Sequence, residues 1–163
     1  MRKLIILLII GFTINLSAQN QVPLKWNDDL SKAIPASISS NKPLLLFFTG
    51  SDWCGWCMRL KREVFAFDEF KKWTDDNVIL VELDFPRRKQ LPANIAKQNR
   101  ELQQIFQVRG YPTVWLVTPQ IIKSEDPENP GNKINFLKLG SLGYVAGGPS
   151  KWIASANQFL IKK

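Results

Sequence analysis

Leu44-Leu45-Leu46-Phe47-Phe48-Thr49-Gly50-Ser51-Asp52-Trp53-Cys54-Gly55-Trp56-Cys57 joins an unbroken apolar run, a closing glycine and the only two cysteines of a 163-residue chain that has no histidine. Six consecutive residues ending at Thr49 read as a strand buried on both faces. The cysteines follow at i and i+3, and Cys57, Leu60, Val64 and Phe65 then recur at helical spacing. Two sulfurs so placed at the start of a helix are close enough for a short disulfide. The helix's unpaired N–H groups favour the first sulfur as a thiolate. The pair therefore reads first as a dithiol/disulfide switch, with Cys54 attacking and Cys57, buried one turn further in, resolving.

Two other readings stand beside it. A permanent structural disulfide is one, although so short a loop adds little chain-entropy stabilisation, and a chain with 45% hydrophobic residues can build a core without staples. A zinc site is the other, but it wants four ligands and the chain offers no histidine and no further cysteine. Trp56, unlike a proline at that position, offers a backbone N–H that would point at the Cys54 sulfur and favour the thiolate.

Residues 1–18 read as a cleaved export signal, with Arg2 and Lys3 as its charged start, Leu4 to Phe12 as its apolar run and Leu16-Ser17-Ala18 as the cleavage region. The alternative is a membrane anchor, for which the run is short. Export implies an oxidising compartment, where disulfide exchange is at home. The formal charge of +8 falls to about +6 when the signal leaves. Its cations are scattered rather than interleaved with aromatics, so nucleic acid is not an expected partner.

The remainder, residues 19–163, reads as one domain. Asn27 or Asp28 would cap a first helix carrying Leu30, Ala33, Ile34 and Ile38, with Pro35 kinking it or delaying its start. Asp68 would cap a short segment through Trp73. Val78 to Asp84 reads as a second strand, Ala93 to Gln107 as a helix with Ile95, Leu102 and Ile105 inward, Thr113 to Val117 as a third strand and Ile134 to Leu139 as a fourth. Trp152, Ile153, Phe159 and Leu160 mark a closing helix. This order describes an α/β sheet with an antiparallel edge pair. Ligand chemistry in such sheets lies beyond the carboxyl ends of the parallel strands, where Thr49 to Cys54 fall.

Tyr111-Pro112-Thr113 puts a proline at the start of an apparently buried strand. Either a trans proline opens the strand, or a cis peptide turns the Tyr111 backbone outward. Taken together, Trp53-Cys54-Gly55-Trp56-Cys57 and, about fifty residues on, Val108-Arg109-Gly110-Tyr111-Pro112-Thr113 resemble the thioredoxin superfamily, in particular exported bacterial thioredoxin-like proteins. The proline segment is also similar to that of protein disulfide isomerase domains. The resemblance implies a thioredoxin fold, a central mixed sheet of four to five strands flanked by helices. It implies a thiol-disulfide oxidoreductase that needs no metal or organic cofactor, acts on protein thiols and disulfides, and is recycled by a membrane electron-transfer protein. Cys54 would attack, Cys57 would resolve and Pro112 would be cis. Trp53, Gly55, Trp56, Tyr111 and Pro112 would border the substrate, with Trp53 shielding the sulfurs and the Tyr111 backbone pairing with the bound segment.

The chain departs from the family pattern in one respect. Many members carry a buried acid six residues before the first cysteine, and here that position is Phe48. Lys61, four residues after Cys57, would lie on the same helix face and tune the resolving thiol, or simply be solvated. Arg87, Arg88 and Lys89 should emerge on the cysteine side, as selectors of acidic partners or as a solvated loop. Ser124 to Asn132 reads as an exposed hairpin loop. The motif favours a reductase or isomerase; a dithiol oxidase and a non-catalytic peptide-binding module are the alternatives.

Overall fold

The computed structural model describes residues 24–123 and 131–160. The expected export signal at residues 1–18 lies outside the described residues, as does the stretch 124–130 of the acidic connection. Four strands form one mixed sheet in the order β2-β1-β3-β4. β1 (Leu44–Thr49) is central and wholly buried, and it runs parallel to β2 (Ile79–Asp84) and antiparallel to β3 (Thr113–Lys123). β4 (Asn132–Leu142) closes the sheet by pairing antiparallel with β3.

Both faces of β1 are covered, and this is why its sequence is apolar without alternation. Leu45 and Phe47 pack with the cysteines beneath α2 (Gly55–Leu60), α3 (Asp68–Asn77) and α5 (Gly148–Leu160). Leu44, Leu46 and Phe48 pack on the opposite face against α1 (Leu30–Ser40) and α4 (Ala93–Ile105).

Several elements differ from the sequence reading for identifiable reasons. The N-cap of α1 is Asp29, which accepts the Ser31 N–H at 2.9 Å. Asn27 instead joins the outer edge of β2, donating its N–H to Leu80 and accepting from Glu82. Pro35 sits inside α1, which starts at Leu30 and runs without a break to Ser40. α2 passes directly into a π-helical turn, Lys61–Phe65, whose extra residue per turn lets the adjacent Val64 and Phe65 both be buried. Phe67, not Asp68, takes the N-cap position of α3, which continues past Trp73 because Thr74 is buried as well. On α4, Ile105 is half exposed, and the inward positions after Ile95 are Asn99, Leu102 and the flanking Phe106. β3 and β4 each run longer than expected, and β3 outlasts β1, so Pro119 lies beyond the pairing with β1.

Trp152 is fully buried and its ring meets Phe65, Phe70 and Trp73 at 5.5 to 6.0 Å between centroids for the last two and 5.7 Å for the first. α5 sits close on β4. A Cβ at Gly140 would fall 2.1 Å from the Phe159 ring, so only glycine admits the helix at this distance.

Candidate functional site

The cysteine pair is built at the carboxyl end of β1, where the Gly50 carbonyl accepts the N–H groups of Trp53 and Cys54 at 3.2 and 2.9 Å. This turn leaves Cys54 as the N-cap of α2 and places Cys57 at its third position. Cys54 and Cys57 form a disulfide with their Cα atoms 5.2 Å apart. Cys54 Sγ accepts the Cys57 N–H at 3.1 Å, the bond an N-cap side chain ordinarily makes with the third helical residue. That geometry decides which amide serves the sulfur: it is Cys57, not Trp56. Cys54 retains 5% exposure and Cys57 1%, so Cys54 is the less enclosed of the two.

Trp53 is held on three sides. Its Nε1 donates to the Phe85 carbonyl at 2.8 Å, its ring meets Tyr111 edge-on at 5.6 Å, and Arg87 lies over its face at 3.9 Å. Gly50 makes room for it, since a Cβ there would fall 2.4 Å from the indole. Asp52 anchors the loop after β2 by accepting the N–H of Arg87 at 3.0 Å and of Arg88 at 2.7 Å. The Arg87 amide first, and then that of Arg88, outweighs partial desolvation and holds the Asp52 carboxyl below its usual range.

Tyr111 and Pro112 are joined by a cis peptide. The Tyr111 ring lies against Trp53 and Phe85, and its hydroxyl accepts from Gln103 at 2.8 Å. The cis segment is thereby fastened to the residue that precedes Cys54. Gly55 is open to solvent, and Trp56 is 55% exposed. The Trp56 ring leans on Tyr144 at 5.3 Å, with Arg59 over both rings, and Glu63 binds Arg59 at 2.9 Å and the Tyr144 hydroxyl. An exposed indole beside the disulfide is thus held by a packed cluster.

The residue facing the cysteines from β1 is Phe47. Phe48, at the position the family pattern indicates, points to the other layer against Phe85 and Phe106. Across the sheet, Phe47 is paired with Glu82, whose carboxylate holds Lys61 Nζ at 2.5 Å. Lys61 therefore brings a balanced ion pair to this face rather than a lone cation.

Asp84, the register partner of Thr49, is buried at the end of β2. Burial pushes its pKa up, but the Ser51 hydroxyl and amide and the Lys89 ammonium outweigh it and hold the carboxyl below its ordinary value. A depressed folded-state pKa gives stability that is complete above the unfolded value, about 3.9, and is lost as pH falls through the folded value. In acid titrations of unfolding free energy, Asp84→Asn is expected to flatten the slope below about pH 4. An unchanged slope would show that Asp84 does not carry it.

Thr49 is fully buried, and its hydroxyl has no hydrogen-bond partner among the described residues. Thr49→Val removes a desolvated donor at nearly constant volume. Thermal unfolding of the oxidised protein should show a gain of about 1 kcal/mol.

Sequence reasoning placed Cys54, Cys57, Trp53, Trp56, Tyr111 and Pro112 together, and the structure brings all of them to one end of the sheet. It missed Asp52 and Asp84, whose loops become neighbours only once β1 and β2 pair in parallel. It also missed Glu63 and Tyr144, which are 81 residues apart and meet between the π-helical turn after α2 and the segment after β4.

The model of the thioredoxin-like domain matches residues 30–120. The Chlamydia pneumoniae protein named disulfide bond reductase DsbH is 28% identical over 137 residues, 84% of this chain and 73% of the relative. The thioredoxin-related protein DsbJ of the same organism is 32% identical over 93 residues, which is 57% of this chain and 27% of DsbJ. Among solved structures, a DsbH oxidoreductase superposes with a TM-score of 0.72 at 27% identity, covering 92% of this chain and 95% of the other. A thioredoxin from Thermus thermophilus gives a TM-score of 0.57 at 12% identity over 85% of this chain and 88% of its own, a likeness in fold. With more than half its length matched and a disulfide pair at the start of its first post-strand helix, the chain belongs to the thioredoxin-like domain family and is a thiol-disulfide oxidoreductase.

Proposed function

We propose that the protein is an exported reductase of protein disulfides in which Cys54 is the nucleophile and Cys57 the resolving thiol. The observation that carries this reading is the asymmetry of the pair: Cys54 caps α2 and is 5% exposed, whereas Cys57, one turn further in, is 1% exposed. In the reduced protein the Cys54 thiolate attacks one sulfur of a substrate disulfide, forming a mixed disulfide and releasing the other substrate sulfur as a thiolate. Cys57 then attacks the Cys54 sulfur, restoring the Cys54–Cys57 disulfide and releasing the second substrate thiolate. Two electrons pass to the substrate, and the protons given up by the two protein thiols end on the substrate thiols.

The reductive direction is supported by the name of the relative matched over most of this chain, a disulfide bond reductase. Running that way in an oxidising compartment requires a dithiol donor, for which a membrane electron-transfer protein is the proposed source. Trp53, Gly55, Trp56 and the Tyr111-Pro112 segment would border the substrate. Lys61, already paired with Glu82, would tune Cys57 only together with that carboxylate. The test is trapping. Cys57→Ser should accumulate mixed disulfides joined through Cys54, seen as adducts that dithiothreitol releases, whereas the absence of adducts would reject the assigned order of attack.

A further inference from the structure

The cations around the disulfide are not equivalent. Lys89 is spent on Asp84 at 2.9 Å, and Arg59 on Glu63 at 2.9 Å. Arg87, Arg88 and Arg109 are exposed, and among the described residues none of them forms a side-chain ion pair. Arg87 is fixed rather than free. Asp52 holds its amide, and its guanidinium lies 3.9 Å from the centroid of Trp53, the residue before Cys54. Arg88 is held by the same carboxylate through its own N–H. Arg109 stands just before Gly110 and the Tyr111-Pro112 cis peptide, on the other segment that Trp53 touches. Asp52 answers one of these charges, so the rim of the disulfide keeps an excess of positive charge.

We infer that this rim selects extended protein segments whose cysteine is flanked by carboxylates, with Arg87 and Arg88 as specificity-determining residues. The inference rests on the proposed reading of Cys54 as nucleophile and adds a substrate class to it. Guanidinium groups suit this task because they bind carboxylates through two parallel N–H donors, and Arg87 is already oriented by its stacking on Trp53. Charge complementarity of this kind acts mainly on the rate of encounter and fades as salt rises.

The test uses the pre-reduced protein and three synthetic peptides, each closed by one disulfide and flanked by aspartate, by serine or by lysine. At low salt the aspartate peptide should be reduced about tenfold faster than the lysine peptide, with the rates converging toward 1 M salt. The double variant Arg87→Gln, Arg88→Gln should bring the aspartate-to-serine rate ratio close to one. Equal rates for all three peptides at low salt in the unaltered protein would overturn the inference while leaving the cysteine assignment intact, and that comparison needs no variant to fold. If none of the three peptides is reduced, the nucleophile assignment falls and the charge selection falls with it.

Discussion

Cys54→Ser is expected to drop the reduction of protein disulfides to the uncatalysed background, a loss of at least about a thousandfold, because the thiol that remains, Cys57, is enclosed at 1% exposure. Of the two cysteines, Cys54 is the less enclosed, and its sulfur is the one that caps α2 and receives the Cys57 N–H. Cys57→Ser should behave differently. It retains the first attack, so pre-reduced protein would consume one substrate disulfide without releasing both thiols, and steady-state turnover would fall nearly as far as in Cys54→Ser. Insulin reduction with dithiothreitol as electron source measures the turnover, and mass analysis of a single exposure to substrate separates the two variants. Comparable turnover in Cys54→Ser and the unaltered protein would remove Cys54 from the mechanism.

Trp152→Ala should give the largest stability loss of any single substitution considered. The side chain is fully buried, three aromatic rings pack around it, and its Nε1 donates to the Gly143 carbonyl at 3.0 Å. Truncating a buried tryptophan costs about 3–5 kcal/mol through lost transfer energy and the cavity left behind. For a chain of this size that is a fall of about 10 °C in melting temperature. Trp152→Phe keeps most of the volume and should lose only about 1–2 kcal/mol, part of it from the unpaired Gly143 carbonyl. The effect should also reach the site, because a Cβ at Gly143 would lie 3.3 Å from the Pro112 carbonyl, so the strand end that Trp152 supports adjoins the cis segment. Equal melting of Trp152→Ala and the unaltered protein would mean that the aromatic cluster does not hold α5 to the sheet.

The sheet and the cysteine pair were legible because their signals are local. Six consecutive buried residues leave an apolar run, and two cysteines three apart after a glycine carry their chemistry in the spacing. Features that depend on tertiary pairing were not. The N-cap of α1 moved to Asp29 because Asn27 is drawn into the edge of β2, a contact 53 residues away. Ile105 turned outward because the buried Asn99, bound to the Asp84 carbonyl at 2.9 Å, and Phe106 claim the inner face of α4. The family position six residues before Cys54 named Phe48, but alternation along β1 presents Phe47 to the cysteine layer. With phenylalanine at both positions, β1 supplies no acid to the cysteine layer in either register. What the sequence alone could not show is that Glu82 lies beside Phe47 and pairs with Lys61, since residues 61 and 82 meet only through the parallel register of β1 and β2.

The site thus combines an outward sulfur, an inward one and a polar surround whose carboxylates Asp52, Asp84, Glu63 and Glu82 are each engaged by a donor. The reductive reading makes one quantity decisive, the reduction potential of the Cys54–Cys57 couple. Equilibrating the protein in graded thiol-disulfide buffers and counting alkylated thiols by mass gives it directly. A value near about −270 mV, in the range of thioredoxin, is predicted, and a value near about −120 mV, that of a strong dithiol oxidant, would contradict the assignment as a reductase.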